Sequence, residues 1–309
     1  MFAAMAEETA TGVGPDRITT VYERFGDPGD PPVLLVMGGG AQMINWPDGF
    51  CAELVERGLH VIRFDNRDSG RSTHFTDGPE PNVAAALAGD FSSVSYTLSD
   101  MAADTIGLLD ALGLRSVHLV GASLGGMVAQ TIALEHRDRV RSLTSMMSTT
   151  GNPDVGRANF AAIGPLGEPP ADRDGYIAWQ VRALRAVGSP GFRFDERAAT
   201  ERATRAYDRG GRDNTGMLRQ AVASIASGDR TDRLRSLDIP ALVIHGAADL
   251  MCDVSGGRAT AAAITGAELL VVDGMGHGFP GELWPLFAQR IGDLVERADR
   301  SGPATSPPR

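Results

Sequence analysis

The chain has 309 residues, 42% of them hydrophobic, a formal net charge of −10, two cysteines and no lysine. That length supports a large core in one domain, or one domain with an insertion. The acidic balance, without a basic cluster, argues against nucleic acid or an anionic membrane as a partner. Cys51 and Cys252 suggest neither a disulfide framework nor a metal site, no apolar run approaches the roughly 18 residues of a membrane helix, and the start, with Glu7 and Glu8, is not a secretory signal. A soluble cytoplasmic protein is expected.

Residues 1–15 read as a loose tail. Arg17 to Phe25 alternates as an early strand and is broken by a Gly-Asp-Pro-Gly-Asp-Pro-Pro turn. Val33 to Met37 is a short continuous apolar run, the pattern of a strand covered on both faces, and it ends in Gly38-Gly39-Gly40. A helix is predicted over Asp48 to Arg57, then a buried strand over Leu59 to Asp65 leading into the polar turn Asn66 to Ser72. Residues 74–97 lack periodicity and read as a surface loop. Ser99 is the expected cap of a helix to Leu112.

Val117 to Val120 is the next buried strand, and a helix starts near Leu124 and runs to about Glu135. Between them lies Gly121-Ala122-Ser123-Leu124-Gly125, a G-x-S-x-G pattern in the strand-turn-helix context that gives it meaning. A serine pressed between strand and helix takes a strained backbone, and side chains two positions either side would collide. Glycine at 121 and 125 removes those collisions. The strain lifts the Ser123 hydroxyl above the sheet edge, where the following helix aims its positive end and free amides. Glycines after a strand also make ordinary tight turns, so the reading needs partners elsewhere in the chain.

Val140 to Ser148 is another strand. From Gly151 to about Arg235 no buried strand is visible, only Arg- and Ala-rich helical stretches near 175–187, 195–209 and 214–227, which read as a helical insertion over the sheet edge. Alternation resumes with the strand Ala241 to Gly246, a helix near 255–265, the strand Glu268 to Val272 and a helix from Gly281 to Arg297. The tail Ala298 to Arg309 reads as disordered. Alternating strands and helices predict an open, mostly parallel sheet with helices on both faces.

A serine hydroxyl needs a base within hydrogen-bond reach. Of the six histidines, His60 and His118 sit in strand patterns, His136 ends a helix, His74 lies in a loop and His245 is within a strand. His277 follows the last strand, at the edge where open α/β sheets bind ligands, and is the expected base. Asp249 follows the strand ending at Gly246 and gives the order Ser123, Asp249, His277; Asp253 is the alternative acid and Asp273 a weaker one. Acyl transfer also needs two fixed amides for the developing oxyanion. One is the backbone N–H of Leu124, and the other is expected from the Gly38–Gly40 loop.

The strand-end glycines, the Asp-x-Arg-x-x-Gly-x-Ser turn at 65–72, the elbow, the insertion and the late Gly-His together resemble the α/β-hydrolase superfamily over residues 17–297. The segments LLVMGG, HVIRFDNRDSGRST and GMGH are most similar to aclacinomycin methylesterase-type carboxylesterases. The resemblance implies an α/β-hydrolase fold with a core at 16–150 and 236–298, a helical cap at 151–235 and flexible tails at 1–15 and 299–309. It also implies Gly39 as the second oxyanion donor. Met37 departs from the pattern: many members carry His there, which helps shape the oxyanion loop, so this loop must be held another way. The Asp65–Ser72 turn reads as structural, with Asp65 and Arg67 tying loops together. Met43, Trp46, Phe160, Trp179 and Phe279 are candidate apolar pocket residues, although such residues are more often core.

The expected function is cleavage of a carboxylic ester through an acyl-enzyme, without a cofactor or metal, and the resemblance suggests a methyl ester of a polyketide-like small molecule. Lactonase, perhydrolase or C–C bond hydrolase activity would use the same triad. A ligand sensor that retains the triad without turnover is the non-enzymatic alternative.

Overall fold

The computed structural model describes residues 6–210 and 214–301. Its strands are β1 (Glu8–Val13), β2 (Ile18–Phe25), β3 (Pro32–Val36), β4 (His60–Phe64), β5 (Val117–Ala122), β6 (Val140–Met146), β7 (Ala241–Gly246) and β8 (Glu268–Val272). They form one sheet in the order β1-β2-β4-β3-β5-β6-β7-β8. β1 and β2 run antiparallel and the rest parallel.

The helices are α1 (Asp48–Val55), α2 (Val83–Leu87), α3 (Leu98–Ala111), α4 (Leu124–Glu135), α5 (Phe160–Ile163), α6 (Arg173–Ala186), α7 (Glu196–Gly210), α8 (Asn214–Ala226), α9 (Thr231–Leu234), α10 (Val254–Ala263) and α11 (Trp284–Ser301). Because successive strand residues point to opposite faces, the apolar run of β3 is divided between two cores. Leu34 and Val36 pack with Met101, Leu108, Val128 and Ile132 of α3 and α4. Val33 and Leu35 pack with Phe50 and Leu54 of α1 and Phe287 and Ile291 of α11. Truncating one of these fully buried side chains to Ala would cost about 2–5 kcal/mol.

The structure corrects the sequence reading in several places. The N-terminal segment is not all loose, since Glu8–Val13 pairs antiparallel with β2. Its alternation is short and Thr-rich, and the ion pair from Arg24 to Glu8 fastens it. Helix α3 is capped by Thr97 and not by Ser99. Thr97 and Asp100 form a reciprocal capping box, while the Ser99 hydroxyl donates to Glu135. The 74–97 loop contains the short helix α2. Helix α11 continues past Arg297 to Ser301, and the remainder of the expected tail, 302–309, lies outside the described residues.

Between β6 and β7 lie α5 to α9. Here α6 and α7 build a small core of their own from Ile177, Val181, Ala199 and Ala203. In contrast, Ala223 of α8 and Leu234 of α9 join the main core. Residues 151–235 therefore form in part a small core of their own and in part join the main core.

Candidate active site

The parallel register brings several strand ends to one level. Val36 pairs with Gly121, Ala122 with Met146, Met146 with Ile244 and Gly246 with Val272. The chain consequently leaves β3, β5, β7 and β8 at the same carboxyl edge. Those four exits carry Gly38–Gly40, Ser123, Asp249 and His277.

Ser123 has φ 53° and ψ −121°, a left-handed conformation outside the usual wells. The crowding that imposes it is measurable. A Cβ at Gly125 would lie 2.0 Å from the Val36 carbonyl oxygen, and one at Gly121 would lie 2.2 Å from the Gly125 oxygen. The bent backbone is held on both sides: the Ser123 N–H donates to Met146 O at 2.9 Å, and the Ser148 hydroxyl donates to Ser123 O at 2.7 Å. Such strain persists only where the surroundings over-determine it.

The Asp249 carboxylate is 4% exposed and fully engaged. Its Oδ1 accepts the Met251 and Cys252 amides, both at 2.9 Å, and its Oδ2 accepts from His277 Nδ1 at 2.8 Å. Burial alone would raise this carboxyl. The hydrogen bonds from His245 and His277, the charge of His277 and the Cys252 amide outweigh it and hold Asp249 down at about 2. Asp253 is committed elsewhere, as the cap of α10: its oxygens accept the Ser255 and Arg157 amides. No hydrogen bond of Asp273 to His277 is present among the described residues.

His277 is fixed from below by its own amide, which donates to Val187 O at 2.9 Å. The preceding Gly276 amide donates to Ser189 Oγ at 2.9 Å. The link between α6 and α7 thus anchors the histidine loop. With Nδ1 bound to the carboxylate, Nε2 is the nitrogen left for proton transfer. Neither Nε2 nor Ser123 Oγ has a hydrogen-bond partner among the described residues, which suits groups waiting for substrate.

The other histidines fall as the sequence places them, with one addition. His118 on β5 is buried against Ser142 Oγ at 2.8 Å, and His136 caps the end of α4. His245 flanks the acid: its Nε2 lies 2.7 Å from Cys252 O and 3.5 Å from Asp249 Oδ2. The carbonyl contact requires the proton on Nε2. A histidine at a strand end gave no sequence signal for this place beside the acid.

The oxyanion candidates lie together. A Cβ at Gly38 would fall 3.7 Å from Ser123 Oγ, and one at Gly39 would fall 3.5 Å from the Leu124 side chain. The amides of Gly39 and Leu124 have no acceptor among the described residues. The loop before them is tied at Met37, whose carbonyl accepts Asn66 Nδ2 at 3.0 Å. It is tied again at Gly40, whose amide donates to Gln220 Oε1 at 2.8 Å. Asn66 and Gln220 were not singled out from the sequence, because a polar residue in a turn or a helix carries no mark of its partner.

The Asp65–Ser72 turn is a strut, as expected. Asp65 accepts the Met43 amide at 2.7 Å and the Arg71 amide at 3.0 Å, and pairs with Arg209 of α7 at 2.8 Å. Arg67 is wholly buried, forked onto Asp104 at 2.6 and 2.8 Å, with Phe75 and Tyr96 against its guanidinium.

The pocket residues fare unevenly. Met43 and Trp46 are completely enclosed and offer a bound molecule no surface in this conformation. Phe279 is partly buried, its ring 4.9 Å from that of Trp46. Trp179 of α6 donates to Leu166 O at 3.0 Å and stacks on Tyr176 of the same helix. Phe160 is 72% exposed on the outside. An open groove of about 970 Å³ along α7, lined by Arg71, Glu201, Arg205 and Asp208 among others, includes none of the site residues. Its charges are largely paired, as on a solvated surface.

Fold and site define a class: residues 31–281 match the family model of the alpha/beta hydrolase fold, and the chain belongs to that family. Within it the chain is similar to rhodomycin D methylesterase DauP of Streptomyces sp. (strain C5), at 27% identity over 86% of this chain and 91% of that protein. It is likewise similar to rhodomycin D methylesterase DnrP of Streptomyces peucetius, at 28% identity over the same shares. These relatives agree with the methylesterase-type resemblance read from the sequence. Among solved structures, a hydrolase from Pseudomonas aeruginosa PA01 has TM-score 0.64 at 26% identity, covering 96% of this chain and 99% of that one. A meta-cleavage product hydrolase from Pseudomonas fluorescens IP01 has TM-score 0.71 at 20% identity, over 94% and 98%, a likeness of fold. No helix of the described residues is long and apolar enough to cross a membrane.

Proposed function

We propose that the protein is a serine hydrolase that cleaves a carboxylic ester of a small molecule through an acyl-enzyme. The observation that carries this reading is the 2.8 Å bond between Asp249 and His277 at the sheet edge where Ser123 stands on its strained turn. His277 Nε2 takes the Ser123 proton as Oγ attacks the ester carbonyl carbon. Asp249 holds the Nδ1 proton and stabilises the imidazolium. The carbonyl oxygen becomes an oxyanion, for which the amides of Gly39 and Leu124 are the donors.

Collapse of this intermediate breaks the bond to the alcohol oxygen, which leaves with the proton held by His277. A water, deprotonated by the same nitrogen, then attacks the acyl-serine. The acid product and free serine complete the cycle, and every proton passes through one imidazole.

Methanol is the preferred leaving group, from a methyl ester substrate, because two relatives matched over most of the chain are named as methylesterases. The polyketide-like acyl part follows the same analogy. The test is a series of methyl, ethyl and butyl esters of an aromatic polyketide acid, with p-nitrophenyl acetate as reference. Methyl ester turnover should lead the series and vanish in Ser123→Ala. Turnover by Ser123→Ala at the parent rate would refute the mechanism, and hydrolysis confined to lactones or β-diketones would refute the ester class.

A further inference from the structure

We propose that Gln220, a residue of α8, is a positioning residue for the oxyanion site. The inference rests on the serine-hydrolase reading above and identifies what holds the loop that Met37 leaves without a histidine.

Gln220 is completely buried and uses both ends of its carboxamide. Oε1 accepts the Gly40 amide at 2.8 Å. Nε2 donates to Arg67 O at 2.7 Å and to Ser69 Oγ at 3.1 Å. One neutral side chain therefore joins the glycine loop after β3 to the polar turn after β4. The neighbouring side chain of α8 ties to the same polar turn, since Arg219 pairs with Asp68 at 3.3 Å. One turn earlier on the same helix, Met217 covers Gly40 so closely that a Cβ there would lie 2.7 Å from its Cγ.

The consequence concerns the amide next door. Three consecutive glycines have little intrinsic preference for one conformation, and an oxyanion donor is effective only if fixed before the charge develops. Gln220 takes the Gly40 N–H out of play and fixes the peptide that follows Gly39. The Gly39 N–H stays uncommitted beside that of Leu124. Asn66, on Met37 O, pins the other end. A carboxamide suits the task because it accepts and donates at once without a buried charge.

The test compares Gln220→Met, similar in length but unable to hydrogen-bond, with Gln220→Glu, which keeps an acceptor for Gly40. Kinetics on p-nitrophenyl acetate at pH 8 are read with the affinity for phenylboronic acid, whose tetrahedral serine adduct places an oxygen in the oxyanion site. Gln220→Met should lose about 10- to 100-fold in kcat, with KM within about threefold, and boronate affinity should fall in parallel. Gln220→Glu should recover at least about tenfold of that loss. An active parent whose Gln220→Met variant keeps kcat and boronate affinity, or loses only in KM, overturns this inference alone. A parent without Ser123-dependent turnover overturns the esterase reading and this inference with it. Should Gln220→Met fail to fold, amide exchange in the parent decides the matter. Slow exchange at Gly40 beside fast exchange at Gly39 supports the pinning, and equal exchange at the two overturns it.

Discussion

Asp249 Oδ2 lies 2.8 Å from His277 Nδ1 and 3.5 Å from His245 Nε2, so a single carboxylate oxygen stands between two imidazoles. His245 spends the same nitrogen on the Cys252 carbonyl from inside the core, whereas His277 stands on the exit of β8, at the carboxyl edge where Ser123 leaves β5. The first prediction follows from that asymmetry. Asp249→Asn presents an amide to Nδ1 and favours the wrong imidazole tautomer, so kcat should drop by about 10³- to 10⁴-fold. Asp253→Asn, which keeps an N-cap acceptor on α10, should remain within about threefold of the parent. Steady-state kinetics on one ester checks both.

The same carboxylate shapes acid stability. Its value is lowered from 3.8 to about 2 in the folded protein, a difference that corresponds to about 2 kcal/mol. A depressed acid stabilises fully above its unfolded value and loses that contribution as pH falls through the folded one. The stability gap between parent and Asp249→Asn should therefore be constant above about pH 4 and shrink between pH 4 and 2. Urea unfolding at stepped pH measures it, and a gap unchanged down to pH 2 would refute the assignment.

His118 acts in the same direction, over a higher pH range. Burial, helped by the nearby Arg141, lowers it from 6.5 to about 3; Asp299 Oδ1 lies 3.2 Å from its Nε2 and opposes the shift, but that carboxylate is already paired with Arg141. The unfolded chain takes up this proton below about pH 6.5 while the folded one does not, so stability should decline from there toward pH 3. The slope from this group is at most about 1.4 kcal/mol per pH unit. His118→Leu removes the linkage, and its stability curve should be flatter over that range whatever its absolute stability.

The elbow glycines give a steric prediction. Gly125→Ala sets a methyl 2.0 Å from Val36 O, which is backbone and cannot step aside. Destabilisation above about 4 kcal/mol, or no folded protein, is expected. Gly39→Ala meets its nearest neighbour at an ordinary 3.5 Å, from the flexible Leu124 side chain. It should unfold within about 1 kcal/mol of the parent. Thermal unfolding of the two variants separates crowding from mere glycine content.

What was legible in the sequence was what local pattern dictates. Continuous apolar runs such as VLLVM marked buried strands, and the spacing of Gly121, Ser123 and Gly125 marked the turn between strand and helix. Chain order pointed to Asp249 and His277 although 28 residues separate them. Long-range polar partners were not legible. Gln220 meets a glycine 180 residues away, and Val187 meets His277 through backbone atoms alone, which no side-chain pattern records. The pocket candidates divide between enclosed and exposed places for a related reason. A large apolar side chain looks the same in sequence whether it is enclosed, like Trp46, or turned outward, like Phe160.

The central claim is that the Ser123 hydroxyl is the nucleophile, activated by His277. It is tested most directly by treating the parent, Ser123→Ala and His277→Ala proteins with a fluorophosphonate and mapping the modified residue by peptide mass. The account predicts one adduct on Ser123 in the parent, none in Ser123→Ala, and labelling at least about 100-fold slower in His277→Ala. An adduct on another residue, or equal labelling rates in parent and His277→Ala, would contradict it.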